Sequence, residues 1–163
     1  MTAARAVRTT ARKGPVGSLP PLDSYLQVFR ATPVERIKMI KDGVQATAAK
    51  RILSDLAFGQ AAAFHALKLS AATVNRKAAE GKTLSPDESE RVLGMAKLIG
   101  QLQSMIQESA TPSDFDATAW LSRWLQEPVP ALGGVRPVDL MDTMEGQTLV
   151  ANTLEKVQSG AYA

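Results

Sequence analysis

The chain has no cysteine among its 163 residues. That excludes disulfides, a zinc ribbon, thiolate metal sites and cysteine nucleophiles. A single histidine, His65, leaves nothing from which to build a histidine-based metal site or catalytic triad. Long apolar runs are also missing: stretches such as residues 61–64 span a few residues, far short of the roughly 20 that a membrane-crossing helix needs. A cytoplasmic protein without a membrane contact is therefore expected. No acid/base pair, phosphate-binding loop or metal set stands out. Close acidic pairs such as Asp114 with Asp116 and Asp139 with Asp142 are accounted for by helix N-caps and surface positions. The expectation is a non-enzyme with no cofactor and no small-molecule substrate of its own. What is present is an ordinary apolar content of 45%, on a chain long enough for one or two small domains with a real core.

The net charge of +3 conceals an uneven distribution. Residues 1–29 carry four basic groups (Arg5, Arg8, Arg12, Lys13) against Asp23. Residues 30–97 carry twelve basic and seven acidic groups, and residues 98–163 carry three basic and eight acidic groups. A basic part followed by an acidic part suggests two surfaces for different partners, one of them polyanionic. Chance asymmetry on solvated faces is the plain alternative.

Residues 1–22 read as a basic flexible tail, rich in glycine and proline. Arginine, alanine and threonine without acids also resemble a transit peptide, but the stretch lacks an amphipathic period. From residue 32 onward nearly every segment reads as helix. Thr32, Pro33 and Glu35 form a capping box opening a helix to about Asp42, which Gly43 stops. A helix over 44–57 follows, then a short alanine-rich one from Gly59 to about Leu67. Ser70 caps a helix reaching Glu80, closed by a left-handed Gly81. A second capping box, Ser85, Pro86 and Glu88, opens the longest helix, to about Glu108. Its Val92, Met95, Ile99, Leu102 and Ile106 repeat at spacings 3, 4, 3, 4, which fits core packing and also a dimer seam. A break at 111–113 marks the boundary between a domain over 23–110 and one over 111–163. The latter should hold a helix over about 117–126, a short one from Pro137, and a last one over about 146–159. The expected fold class is all-α.

Residues 59–81 have the length and turn of a helix-turn-helix, whose second helix enters the major groove of DNA. Val74 and Ala78 face inward, leaving Ala71, Ala72, Thr73, Asn75, Arg76 and Ala79 outward. Arg76 suits a guanine edge and Asn75 an adenine. Ser70, Thr73, Lys77 and Lys82 suit phosphates, and Ala71 and Ala72 allow close approach. Lys68 stands where the turn usually has glycine, and Phe64 where the first helix usually has alanine. A plain structural hairpin is the rival reading.

In the acidic part, Trp120 and Trp124 lie four apart on one helix face. After them come Pro130-Ala131-Leu132-Gly133-Gly134, then Pro137, Gly146, Val150, Leu154 and Gly160. This arrangement resembles the toxin-binding domain of the Xre/MbcA/ParS antitoxins, and residues 76–91 resemble the Xre-like helix-turn-helix of the same family. The resemblance spans roughly 35–163. It implies a toxin–antitoxin system in which the partner is a RES-domain toxin that depletes NAD⁺. The antitoxin neutralises it by covering the active site with the C-terminal region, forms a homodimer, and binds operator DNA to repress its own operon. Leu154, Gln158, Tyr162 and Ala163 are the candidate toxin contacts, with the terminal carboxylate plugging a basic pocket. The alternative is a stand-alone helix-turn-helix repressor whose C-terminal domain dimerises.

Overall fold

The computed structural model describes residues 24–112, 114–158 and 160. Among them are eight α-helices and no strand. These are α1 (Tyr25–Arg30), α2 (Pro33–Asp42), α3 (Ala46–Ser54), α4 (Gln60–Ala66), α5 (Ala71–Ala79), α6 (Pro86–Glu108), α7 (Ala117–Gln126) and α8 (Met144–Gln158). Two short 3-10 turns, Pro130–Leu132 and Pro137–Leu140, join α7 to α8. The basic tail lies outside the described residues.

Both expected capping boxes form. The Thr32 hydroxyl accepts from the Glu35 amide while the Glu35 carboxylate takes the Thr32 amide, and Ser85 and Glu88 do the same at α6. Each cap satisfies amides that a helix start leaves without partners.

The axis of the molecule is α6. Val92, Met95 and Ile99 have no exposed surface, and Leu102 very little. Leu93, Ala96, Leu98, Gly100, Gln101 and Ser104 are buried too, so the burial is not confined to one stripe. A helix buried on most sides is a core helix, and the chain's own α1, α2, α7 and α8 cover it. This decides between the two readings of its 3–4 spacing: the apolar stripe packs inside one molecule. Gly100 is required where α1 crosses, because a Cβ there would sit 2.0 Å from the Tyr25 carbonyl oxygen. Gly94 likewise admits the buried Gln147 side chain of α8.

Two boundaries differ from the sequence expectation for tertiary reasons. Helix α3 is shorter than 44–57 at both ends. The Val44 amide donates to the Ser89 hydroxyl at 2.9 Å, and its carbonyl accepts from the Leu84 amide at 2.8 Å, which holds Val44 outside the helix. At the other end the Ala57 amide donates to the Ser122 hydroxyl of α7 at 2.9 Å. Helix α1 was not expected. Its Ser24 cap and Val28 are the local signals, but six residues make a helix only when packed against α6. The Tyr25 hydroxyl donates to the Asp55 carboxylate, and burial followed by that bond pushes the phenol well above its ordinary value.

Candidate nucleic-acid and toxin interfaces

Helices α4 and α5 form the expected hairpin. Lys68 in the turn has φ 48°, the left-handed conformation for which glycine is usual. The turn is held by the Leu69 amide on the Phe64 carbonyl at 2.8 Å and the Lys68 amide on the His65 carbonyl at 3.1 Å. Phe64 is buried in the core with Leu67, Leu69 and Val74. Ser70 caps α5 by accepting from the Thr73 amide at 3.2 Å.

The outward face of α5 is as expected for most residues. Ser70, Ala71, Ala72, Asn75, Arg76, Ala79 and Lys82 are exposed, and Thr73 is half-buried. Lys77 is a correction. It points back at Glu88 across a 2.9 Å ion pair whose side chains are 19% and 16% exposed, so it locks α5 to the start of α6 and is not offered to a phosphate. Burial disfavours the charged form of Glu88, but the Ser85 amide, Lys77 and the Ser85 hydroxyl outweigh it and hold the carboxyl below its ordinary value. On the open side, Glu80 sits between Arg76 at 3.7 Å and Lys82 at 2.6 Å. The Lys82 hydrogen bond is the main reason its carboxyl is held low.

The acidic part is built on α7 and α8. Asp116 caps α7 by accepting from the Ala119 amide at 2.9 Å. Trp120 and Trp124 stack with centroids 6.2 Å apart and planes 11° from parallel; Trp124 is buried and anchors the core. Gly133 and Gly134 have φ 69° and 82°, with open space where a Cβ would be, so the turn's backbone demands glycine there.

Leu154 is the second correction. It has no exposed surface and packs in the core, where it supports the domain from within. The Gln158 side chain, Tyr162 and Ala163 lie outside the described residues. The large apolar side chains that the acidic part does expose are Phe115, Val135, Met144, Leu149 and Val157. The sequence reading singled out none of these as exposed apolar positions. The signal lay in α8, where burial of Gln147, Val150 and Leu154 turns Leu149 to solvent.

The two parts meet at both ends of α4. Before it, the Ala57 amide is held by Ser122 of α7. After it, Lys68 pairs with Asp142, and the Leu67 carbonyl accepts from Arg91 Nε at 2.8 Å. Gln147 Nε2 then joins the Arg91 carbonyl at 3.1 Å and the Met141 carbonyl at 2.9 Å. The first helix of the hairpin is thus clamped against the acidic part. The Lys68 hydrogen bond is the main cause holding the Asp142 carboxyl below its ordinary value.

A capped helix-turn-helix joined to a second helical unit with an apolar, acidic surface defines an antitoxin of a toxin–antitoxin pair once the comparisons with known proteins are added. Residues 35–97 match the antitoxin Xre-like helix-turn-helix domain. Residues 115–160 match the antitoxin Xre/MbcA/ParS C-terminal toxin-binding domain. The Prs ADP-ribosylating antitoxin of Sphingobium sp. (strain YBL2) is 52% identical over 157 residues, covering 96% of this chain and 98% of that protein. The chain belongs to the Xre/MbcA/ParS antitoxin family.

Proposed function

We propose that the chain neutralises a RES-domain, NAD⁺-degrading toxin by covering its active site with the C-terminal domain, and binds operator DNA through α5 to autoregulate its operon. It acts in the cytoplasm, as a homodimer, with no catalysis of its own. The observation that carries the reading is the pairing, in one molecule, of an open α5 face with a toxin-binding domain clamped to the preceding α4. Ser70, Ala71, Ala72, Thr73, Asn75, Arg76 and Lys82 form the DNA surface, and Gln158, Tyr162 and Ala163 the terminal plug. Exposed Val34 and Ile37 on α2 offer the homodimer an apolar surface apart from both.

Expression with the toxin in a host tests the neutralisation: cellular NAD⁺ should fall with the toxin alone and recover with the antitoxin. Deletion of residues 160–163 should abolish protection, and undiminished protection removes the terminal plug. A symmetric dimer should protect an inverted repeat with half-sites about one helical turn, or a multiple, apart.

The name of the Sphingobium relative favours a second reading of the toxin's chemistry, transfer of ADP-ribose from NAD⁺ to a target. Labelled NAD⁺ separates the two. Label transferred to a macromolecule identifies transfer, and label released solely as small molecules identifies degradation.

A further inference from the structure

The last two turns of α6, the approach to α7 and the end of α8 enclose an open groove of about 230 Å³. Its walls are Leu102, Met105, Ile106, Phe115, Trp120 and Val157, and the buried Leu154 forms its floor. Ser109 and Thr111 are the polar side chains at its edge. Phe115 and Val157, each 37% exposed, are its most open walls. An apolar cavity of about 150 Å³ accommodates a benzene ring, so this groove takes one aromatic or branched aliphatic side chain.

We propose that the groove receives an apolar anchor side chain of the toxin and forms the centre of the toxin interface. The proposal rests on the toxin-neutralising reading above. Three observations select this occupant. Phe115, Trp120, Leu154 and Val157 all fall inside the matched toxin-binding region. The groove combines a recessed apolar floor with an apolar rim, the form in which a few buried anchors carry most of an interface's energy. The exposed acids Glu108, Asp114 and Asp116 lie on the neighbouring chain segments, which suits an anchor flanked by basic side chains on the toxin.

The test uses the full chain and a purified RES-domain toxin. Binding is measured by calorimetry, the mass of the free chain by ultracentrifugation, and folding by thermal melting. Val157→Glu and Phe115→Glu should each weaken toxin binding by at least about tenfold, the loss of one anchor contact. Leu149→Glu, on the outward face of α8, should change it by less than about twofold. If the glutamate forms melt early, Val157→Thr keeps the side-chain shape while adding a hydroxyl, and should still weaken binding measurably.

Wild-type affinity in the Val157 and Phe115 variants overturns the proposal. An equal loss in Leu149→Glu also overturns it and moves the interface to the outer face of α8. A dimer that dissociates in Val157→Glu, with toxin affinity intact, assigns the groove to a second copy of the chain. Intact affinity with a melting temperature lowered by deletion of residues 161–163 assigns it to the chain's own end. Failure of the wild type to bind the toxin rejects the functional reading itself, an outcome distinct from all of these.

Discussion

The helix-turn-helix and the toxin-binding domain expose opposite kinds of surface. On α5 the outward residues are small or polar: Ala71, Ala72, Asn75, Arg76 and Ala79. On the C-terminal domain they include Phe115, Val135, Met144, Leu149 and Val157. A groove of DNA is hydrated and hydrogen-bonding, so its reader needs close backbone approach and a few directed donors. A protein partner is recognised through apolar anchors that lose their water on binding. Under the proposed function the difference in exposed chemistry matches a difference in partner, and the charge division between the two parts runs the same way.

The largest effect that bears on this comparison is expected inside the core. Leu154→Ala should cost about 2–5 kcal/mol, as for a fully buried leucine. Because α6 runs through both parts and α4 is clamped by Ser122 and Asp142, the whole chain should still melt in one transition. Two separate transitions in calorimetry, with the helix-turn-helix melting unchanged, would break the view of one shared core.

Arg76→Ala sharpens the comparison from the other side. If Arg76 reads a guanine, operator binding should weaken by about 1–3 kcal/mol and lose base preference at one position. Toxin affinity should not move. Operator affinity equal to wild type in a gel-shift titration would remove Arg76 from the reading face.

Asp142→Asn tests the clamp and should do less. Lys68 is largely exposed, and such pairs contribute below about 1 kcal/mol. The sign with pH is definite. The Asp142 carboxyl is held below its ordinary 3.8, so the pair stabilises the fold above that pH and is lost as pH falls through the lowered value. Acid titration of Asp142→Asn should therefore show a shallower loss of stability, and an unchanged acid limb would discount the clamp.

The smallest expected effect is at Glu80. Glu80→Gln frees Arg76 and Lys82, so non-specific DNA affinity should rise modestly and depend more steeply on salt. No change in the salt slope would mean that these two cations do not reach the phosphates.

Much of this was legible locally. Thr32 with Glu35, and Ser85 with Glu88, announce their helices because a capping box is satisfied by residues three apart. Ser70 and Gly81 likewise bound α5. The family resemblance rested on residues 76–91 and on the segment from Trp120 to Gly160, and both regions fall within the matched domains. The site itself was less legible. Lys77 occupies a phosphate-ready position in the sequence and turns instead to Glu88, eleven residues away. Leu154 lies on the stripe taken for the interface and is wholly buried.

The sequence by itself determined an all-α chain, its main helix starts, a helix-turn-helix and the family, because caps, turns and helical periodicity act over three or four residues. Tertiary structure alone decided that α6 is a core axis rather than a seam. It also created α1, truncated α3 at Val44 and Ala57, and left Phe115 and Val157 open on the rim of a groove. Each of these depends on which distant surface a residue meets, and burial is a property of that meeting rather than of the residue.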